Sequence, residues 1–268
     1  MTLPFTLAHP AAVLPLVRRP LCAAALVAGA VAPDAPYFVR ALPVPVTAQA
    51  WYEPFMNATT SHAVGGALTV ALPFALLLTA AWWVARRPLG AMLAAPRAAA
   101  PGDIERGVLR RTGAGAVVVR GFWVLLSLVI GVATHLVWDA FTHGDVAVLL
   151  TPAIGGLTWA RLLQHASTVA GLAVLAVYGW RHRTALRVRA AAVWAVLGVA
   201  AAGAVAGAAV LWAQTNGFGD GVTTEHVLRE GAETAGVVVA GAAVLYVVAW
   251  WTVRGAARLR GAGRTSRR

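Results

Sequence analysis

Five stretches of this chain carry no Asp, Glu, Lys or Arg and are long enough to cross a bilayer: Ala63 to Ala85, Gly121 to Trp138, Leu162 to Trp180, Ala190 to Ala213 and Thr234 to Val253. At about 1.5 Å of rise per residue, each matches a hydrocarbon core of roughly 30 Å. Backbone groups in lipid must be satisfied within the segment, so such runs have to be helices. Trp82, Trp83, Trp138, Trp180, Trp250 and Trp251 lie near their ends, where amphipathic rings favour the interface. The expected fold class is therefore all-α, a polytopic helical membrane protein with five firm transmembrane helices.

Composition agrees. Of the 268 residues, 59% are hydrophobic and 12% charged, against roughly 25% charged in soluble domains. All 22 basic residues are Arg. With the abundance of Ala, Gly and Val, this points to a GC-rich bacterial genome and carries no functional weight. The net charge of +12 is not a nucleic-acid signature, because the Arg residues sit in short blocks at the ends of apolar runs, where topology signals belong. The expected partner is membrane lipid; no nucleic acid is expected, and the sequence sets no oligomeric state. The single Cys22 excludes an intramolecular disulfide framework and a multi-Cys zinc module.

The connecting segments alternate in charge. Residues 86 to 120 carry Arg86, Arg87, Arg97, Arg106, Arg110, Arg111 and Arg120; residues 181 to 189 and 254 to 268 are also Arg-rich. These are expected on the cytoplasmic side, with the C-terminus inside a bacterial cytoplasmic membrane. Segments 34 to 61, 139 to 161 and 214 to 233 hold one Arg each and eight of the ten acids, and are expected to face outward. The whole chain, 1 to 268, reads as one integral membrane domain. Residues 88 to 115, rich in Ala, Pro, Gly and Arg, are expected to be a flexible basic cytoplasmic loop. Residues 181 to 268 are expected to form two C-terminal transmembrane helices and a basic tail. Gly203-x-x-x-Gly207 is a weak match to a close-packing motif in so Gly-rich a chain.

The N-terminus allows two arrangements. Arg18 and Arg19 precede the apolar run Leu21 to Ala32, which ends in Pro33-Asp34-Ala35-Pro36 without an Ala-x-Ala cleavage site, so the segment is read as retained. A single crossing would strand His9 on the opposite side from Asp34. A short or re-entrant helical hairpin, with arms Ala8 to Val17 and Leu21 to Ala32, returns both to one surface. A run of a dozen residues is short for a crossing, which favours the hairpin.

Metal-capable residues gather on the outer side. His135 and Asp139, four apart, share one helix face one turn apart and form a bidentate platform. Imidazole with carboxylate suits zinc, iron or manganese without thiolates. Ionisable groups at a membrane helix end are functional candidates by default. His62 begins the first long span, His165 the third, Asp34 closes the first apolar run, and His143 and Asp145 follow Asp139. His182, among Arg181 and Arg183, reads as headgroup contact, and His226 as part of a short capped outer helix.

These residues carry a resemblance. Pro4-Phe5-Thr6-Leu7-Ala8-His9-Pro10-Ala11-Ala12-Val13-Leu14-Pro15-Leu16, Ala32-Pro33-Asp34-Ala35-Pro36-Tyr37, Thr60-Ser61-His62, the run Thr134 to His143 and Leu163-Gln164-His165-Ala166-Ser167-Thr168 resemble the bacterial membrane protein family called domain of unknown function 4184, and residues 1 to 180 carry these motifs. More distantly, the order of His9, Pro33-Asp34, His62 and His135-x-x-x-Asp139 is similar to inner-membrane metal-dependent hydrolases that include the LexA-binding type. The third motif departs from theirs: only Thr60-Ser61-His62 remains, with no Arg-Gly pair and no preceding His. The resemblance implies that His9, Asp34, His62, His135 and Asp139 form one cluster, which again favours the hairpin.

The leading expectation is a metal-dependent hydrolase at the outer membrane boundary, acting on lipid-linked or envelope phosphoesters. Zinc or manganese is the expected divalent metal, with His9, Asp34, His62, His135, Asp139 and His165 as metal-site residues and His9 as ligand or general base. The alternatives are a non-enzymatic membrane scaffold with a structural metal, or a polar cluster that binds none. Transport is disfavoured because the spans are nearly free of ionisable residues at mid-depth.

Overall fold

The structure, a computed structural model, describes residues 6–40, 47, 50–93, 114–142, 151–152, 157–186, 189–215, 217–218 and 221–265. Among these residues there are helices and turns but no strand. Short helices come first: α1 (Pro10–Val13), α2 (Ala23–Val31), α3 (Ala35–Arg40), α4 (Glu53–Met56), α5 (Ala58–His62) and α6 (Val64–Gly66). The long ones follow: α7 (Leu72–Leu93), α8 (Ala114–Thr142), α9 (Trp159–Leu186), α10 (Ala190–Gln214) and α11 (Thr224–Thr265). Five apolar spans are long enough to cross a membrane: Val64–Met92, Gly115–Thr142, Trp159–His182, Ala190–Gln214 and His226–Arg258. The five runs expected from sequence lie within them or overlap them almost completely. The protein is a multi-pass helical membrane protein.

The chain divides into two compact units, residues 1–80 with 102–184 and residues 81–101 with 185–268. In the first, the N-terminal segment is a helical hairpin. Thr6–Leu16 forms one arm, α1 flanked by 3₁₀ turns, and Ala23–Val39 the other. The second arm continues past Val31 through a 3₁₀ turn, Ala32–Asp34, whose second residue, Pro33, sits where a helix start has no use for its missing N–H.

Helix α2 is almost wholly Ala, Gly and Val because it lies flush against α8. Ala25, Ala28 and Ala32 pack with Leu128 and Val132 of α8 and Ala71 and Ala75 of the first span. At the crossing, Gly29 and Gly131 face each other. A Cβ on Gly29 would overlap the Leu128 carbonyl and lie 2.9 Å from Gly131 Cα; one on Gly131 would overlap the Leu26 carbonyl and lie 2.8 Å from Gly29 Cα. Lipid offers no hydrophobic drive for two helices to associate, so small residues that permit close van der Waals contact set the interface. A polar tie reinforces it, the Cys22 amide donating to Ser127 Oγ at 2.9 Å while Ser127 donates to the Trp123 carbonyl.

The second unit repeats the device. Gly203 and Gly207 of α10 approach α11 so closely that a Cβ on Gly203 would lie 2.8 Å from Ala235 Cα, and one on Gly207 would lie 2.6 Å from the Glu230 carbonyl. The motif that is weak in sequence marks a real crossing. Helix α7 runs through Pro88 to Leu93, six residues into the segment expected as a loop; residues 94–113 lie outside the described residues. Proline cannot donate to the carbonyl four residues back, and that carbonyl, on Val84, instead accepts from Trp251 Nε1 at 3.2 Å. A side chain that satisfies the freed carbonyl is how a proline persists in a membrane helix. His226 belongs to the first turn of the long α11, whose start Thr223 caps by accepting from the His226 amide at 3.3 Å.

Replacing Gly131 by Val should push α2 off α8 and destabilise the detergent-solubilised protein by about 1–3 kcal/mol. Gly121→Ala, on the same helix with open space around it, should be neutral or slightly stabilising. Thermal unfolding of both variants checks the pair.

Candidate metal centre

One face of α8 carries Leu128, Gly131, Val132, His135 and Asp139 at helical spacing, and this face meets the hairpin. The crossing at Gly131 places His135 one turn further along, where its Nδ1 lies 2.7 Å from the Ala30 carbonyl of α2. Only a protonated Nδ1 can make that bond, so Nε2 is left as the inward-facing nitrogen. Four residues beyond Ala30 comes Asp34, fully buried. Thr6, from the opposite arm, donates its hydroxyl to Asp34 Oδ2 at 2.7 Å.

Helix α5 delivers the fourth group. Asn57 caps it by accepting from the Thr59 amide at 3.0 Å. Ser61 donates to the Pro33 carbonyl at 2.6 Å, pinning α5 to the turn that bears Asp34. His62 then repeats the pattern of His135, with Nδ1 2.7 Å from the Ala58 carbonyl and Nε2 turned inward. A histidine whose other ring nitrogen donates to a backbone carbonyl is held in the tautomer and orientation that metal binding requires.

Asp34, His62, His135 and Asp139 each offer one ligand atom, and all four atoms lie within 4.8 Å of one another. The two Nε2 atoms are 3.2 Å apart. Asp139 Oδ2 lies 3.0 Å from His62 Nε2 and 3.1 Å from His135 Nε2. Asp34 Oδ1 lies 3.4 and 3.6 Å from the same atoms. Bonds of 2.0–2.1 Å in a tetrahedron give ligand separations of about 3.3 Å, and these five separations, from 3.0 to 3.6 Å, bracket that value. Asp34 Oδ1 is buried, and its contacts with the two Nε2 atoms, at 3.4 and 3.6 Å, lie at the edge of hydrogen-bond reach, so its charge is under-satisfied. Two buried carboxylates facing two imidazoles call for positive charge. Without an ion, His62 supplies it: burial pulls its pKa down, but hydrogen bonds to Asp139 and Asp34 outweigh this and raise it from 6.5 to about 10.

His9 adjoins the four. It is buried, its ring stacked on His135 with centroids 3.9 Å apart, its Nε2 3.5 Å from Asp139 Oδ1 and 4.0 Å from Asp34 Oδ2. The hairpin is thus the arrangement that forms, since a single crossing separates His9 from Asp34. Trp138 meets His9 edge-on at 5.8 Å. Of the four, His62 is the most exposed, at 23%, and the Tyr37 ring lies 6.4 Å from it. His165 is not brought in. It is exposed on α9, and the buried position there is its neighbour Gln164. His143 and Asp145 lie outside the described residues. Thr6 and Ser61 stand inside the motifs quoted above, yet no periodicity or spacing distinguishes them from ordinary helix-end hydroxyls.

Between the hairpin's first arm, α8 and α9, an apolar cleft of about 580 Å³ is lined by Ala12, Ile130, Val137, Trp138, Phe141 and Leu163 among others. Ala12 and Trp138 border both the cleft and the neighbourhood of His9.

A family model described as domain of unknown function (DUF4184) matches residues 3–253. No curated protein and no solved structure shows significant similarity to the chain.

Two outcomes follow from this geometry. Thr6→Ala frees Asp34 to turn and should weaken metal affinity roughly 10–100-fold, measured by competition with a chromogenic chelator. In the metal-free protein, a His62 pKa raised above its unfolded value of 6.5 contributes stability fully present below about pH 6.5 and lost as pH rises through about 10. Melting temperature should fall across that window, and His62→Gln should flatten the fall.

Proposed function

The chain belongs to the DUF4184 family, and because that family carries no assigned activity, we propose a function from the geometry of this centre: a metal-dependent hydrolase at a membrane–water boundary. The observation that carries the proposal is the convergence of His62 Nε2, His135 Nε2, Asp34 Oδ1 and Asp139 Oδ2 within 4.8 Å, with one flank reaching the surface at His62. Two imidazoles and two carboxylates suit zinc or manganese.

A bound divalent ion supplies Lewis-acid polarisation of the scissile group and of water. The chain's own residues do the rest. The Ala30 and Ala58 carbonyls hold the two imidazole rings in register, Thr6 holds Asp34, and burial of His135 and Asp34 keeps bulk water from that side. His9, against both carboxylates, is the remaining group able to hold a proton or a ligand position. The apolar cleft beside Trp138 supports an amphiphilic substrate, a lipid-linked or envelope phosphoester whose apolar part stays in the membrane while its headgroup reaches the centre. Arg bias supports the centre facing outward from a bacterial cytoplasmic membrane, with the C-terminus inside.

A structural ion is the second reading, favoured by one observation: Asp34, His62, His135 and Asp139 offer four protein ligands, enough to close a tetrahedral site completely. It predicts tight metal and no turnover.

Elemental analysis of the dialysed, detergent-purified protein should find metal, lost in His135→Ala and Asp139→Ala. Hydrolysis of bis(p-nitrophenyl) phosphate in mixed micelles should fall to the uncatalysed rate in the same variants. Bound metal with no hydrolysis of phosphoester or carboxylic ester probes would favour the structural ion, and no metal in the folded wild type after reconstitution with zinc and manganese would sink both readings.

A further inference from the structure

We propose that the centre takes a second divalent cation on the His9 side, so that Asp34 and Asp139 bridge a pair of ions; this rests on the metal-centre reading above and extends it. Each carboxylate divides its two oxygens. Asp34 directs Oδ1 towards His62 and His135, at 3.4 and 3.6 Å, and Oδ2 towards His9, at 4.0 Å. Asp139 directs Oδ2 towards the same pair, at 3.0 and 3.1 Å, and Oδ1 towards His9, at 3.5 Å. Two bridging carboxylates, each with one oxygen for either ion, require this division.

The spacing on the His9 side is that of a ligand set. Bonds of 2.0–2.2 Å place neighbouring ligands about 3 to 3.6 Å apart and opposite ones about 4.2 Å apart. His9 Nε2, at 4.0 and 3.5 Å from the two oxygens that face it, falls between those limits. Thr6 occupies one acceptor direction of Asp34 Oδ2, and a carboxylate oxygen has another.

The stacked rings supply an independent measure. His9 and His135 lie with planes 26° apart and centroids 3.9 Å apart. An imidazole binds metal in its own plane, so near-parallel rings set their ions apart by about the ring spacing. Two-metal hydrolytic centres have ions roughly 3.5–4 Å apart. Two stacked imidazoles whose Nε2 atoms both approach the same pair of carboxylates are therefore spaced as ligands of two such ions.

The pair also defines the substrate class more narrowly. One divalent ion is balanced by two carboxylates, whereas two leave a surplus of positive charge in a buried site. That surplus selects an anionic phosphoester over a neutral carboxylic ester, with both ions placed to take oxygens of one phosphoryl group.

The test uses the full chain in detergent, loaded with manganese and freed of excess by dialysis. Wild type should hold two Mn²⁺ per chain and show the electron paramagnetic resonance spectrum of a coupled pair. His9→Ala and His9→Gln should each hold one, with the spectrum of an isolated ion. One uncoupled ion in the wild type overturns the second position while the metal-centre reading stands, and this holds even if both variants fail to fold. Two ions retained in both His9 variants would also overturn it, because the second would then lie elsewhere. No bound ion in folded wild type would remove both the pair and the centre.

Discussion

At the crossing of α2 and α8, Gly29 and Gly131 bring two backbones to contact, and the arrangement of the first unit depends on it. A methyl group on either residue would collide with the opposing main chain. Within one turn of that contact His135 reaches the Ala30 carbonyl, and within two turns Asp34 reaches the imidazoles. A shift of one residue along either helix would send His135 to another face and leave the Ala30 carbonyl facing apolar neighbours. Packing and hydrogen bonding therefore select the same register. In a medium where apolar burial gives little preference between helix faces, that agreement is what makes the register specific.

The centre is a poor device for stability alone. Two carboxylates removed from water are costly, and two Nε2 atoms aimed at each other add nothing attractive unless a proton or a cation stands between them. An apolar replacement of the same shape would pack the hairpin against α8 at least as well. The pattern of both Nδ1 groups tied to carbonyls, one carboxylate held by Thr6 and one histidine left at the surface makes chemical sense for a cation site. The charge that burial demands and the charge that a divalent ion brings are complementary.

The described residues of the second unit follow the same packing rule. Gly203 and Gly207 admit α11 closely, and Trp251 satisfies the carbonyl that Pro88 leaves behind.

Helix number, membrane class and the His135–Asp139 platform were legible from the chain itself, because lipid imposes length and the absence of charge, and because four-residue spacing fixes a shared helix face wherever a helix is continuous. The return of His9 to Asp34 was legible only as a preference, from the shortness of one apolar run and a resemblance. Exposure of His165 beside buried Gln164 was not legible, since the rotation of α9 about its axis depends on what it packs against. The roles of Thr6 and Ser61 were equally hidden, because a hydroxyl acquires a role only from the neighbour it meets. Periodicity and hydropathy are local properties and are written in the sequence; which oxygen of Asp34 faces which imidazole is a contact between residues far apart in the chain, and only the close packing of the folded helices decides it.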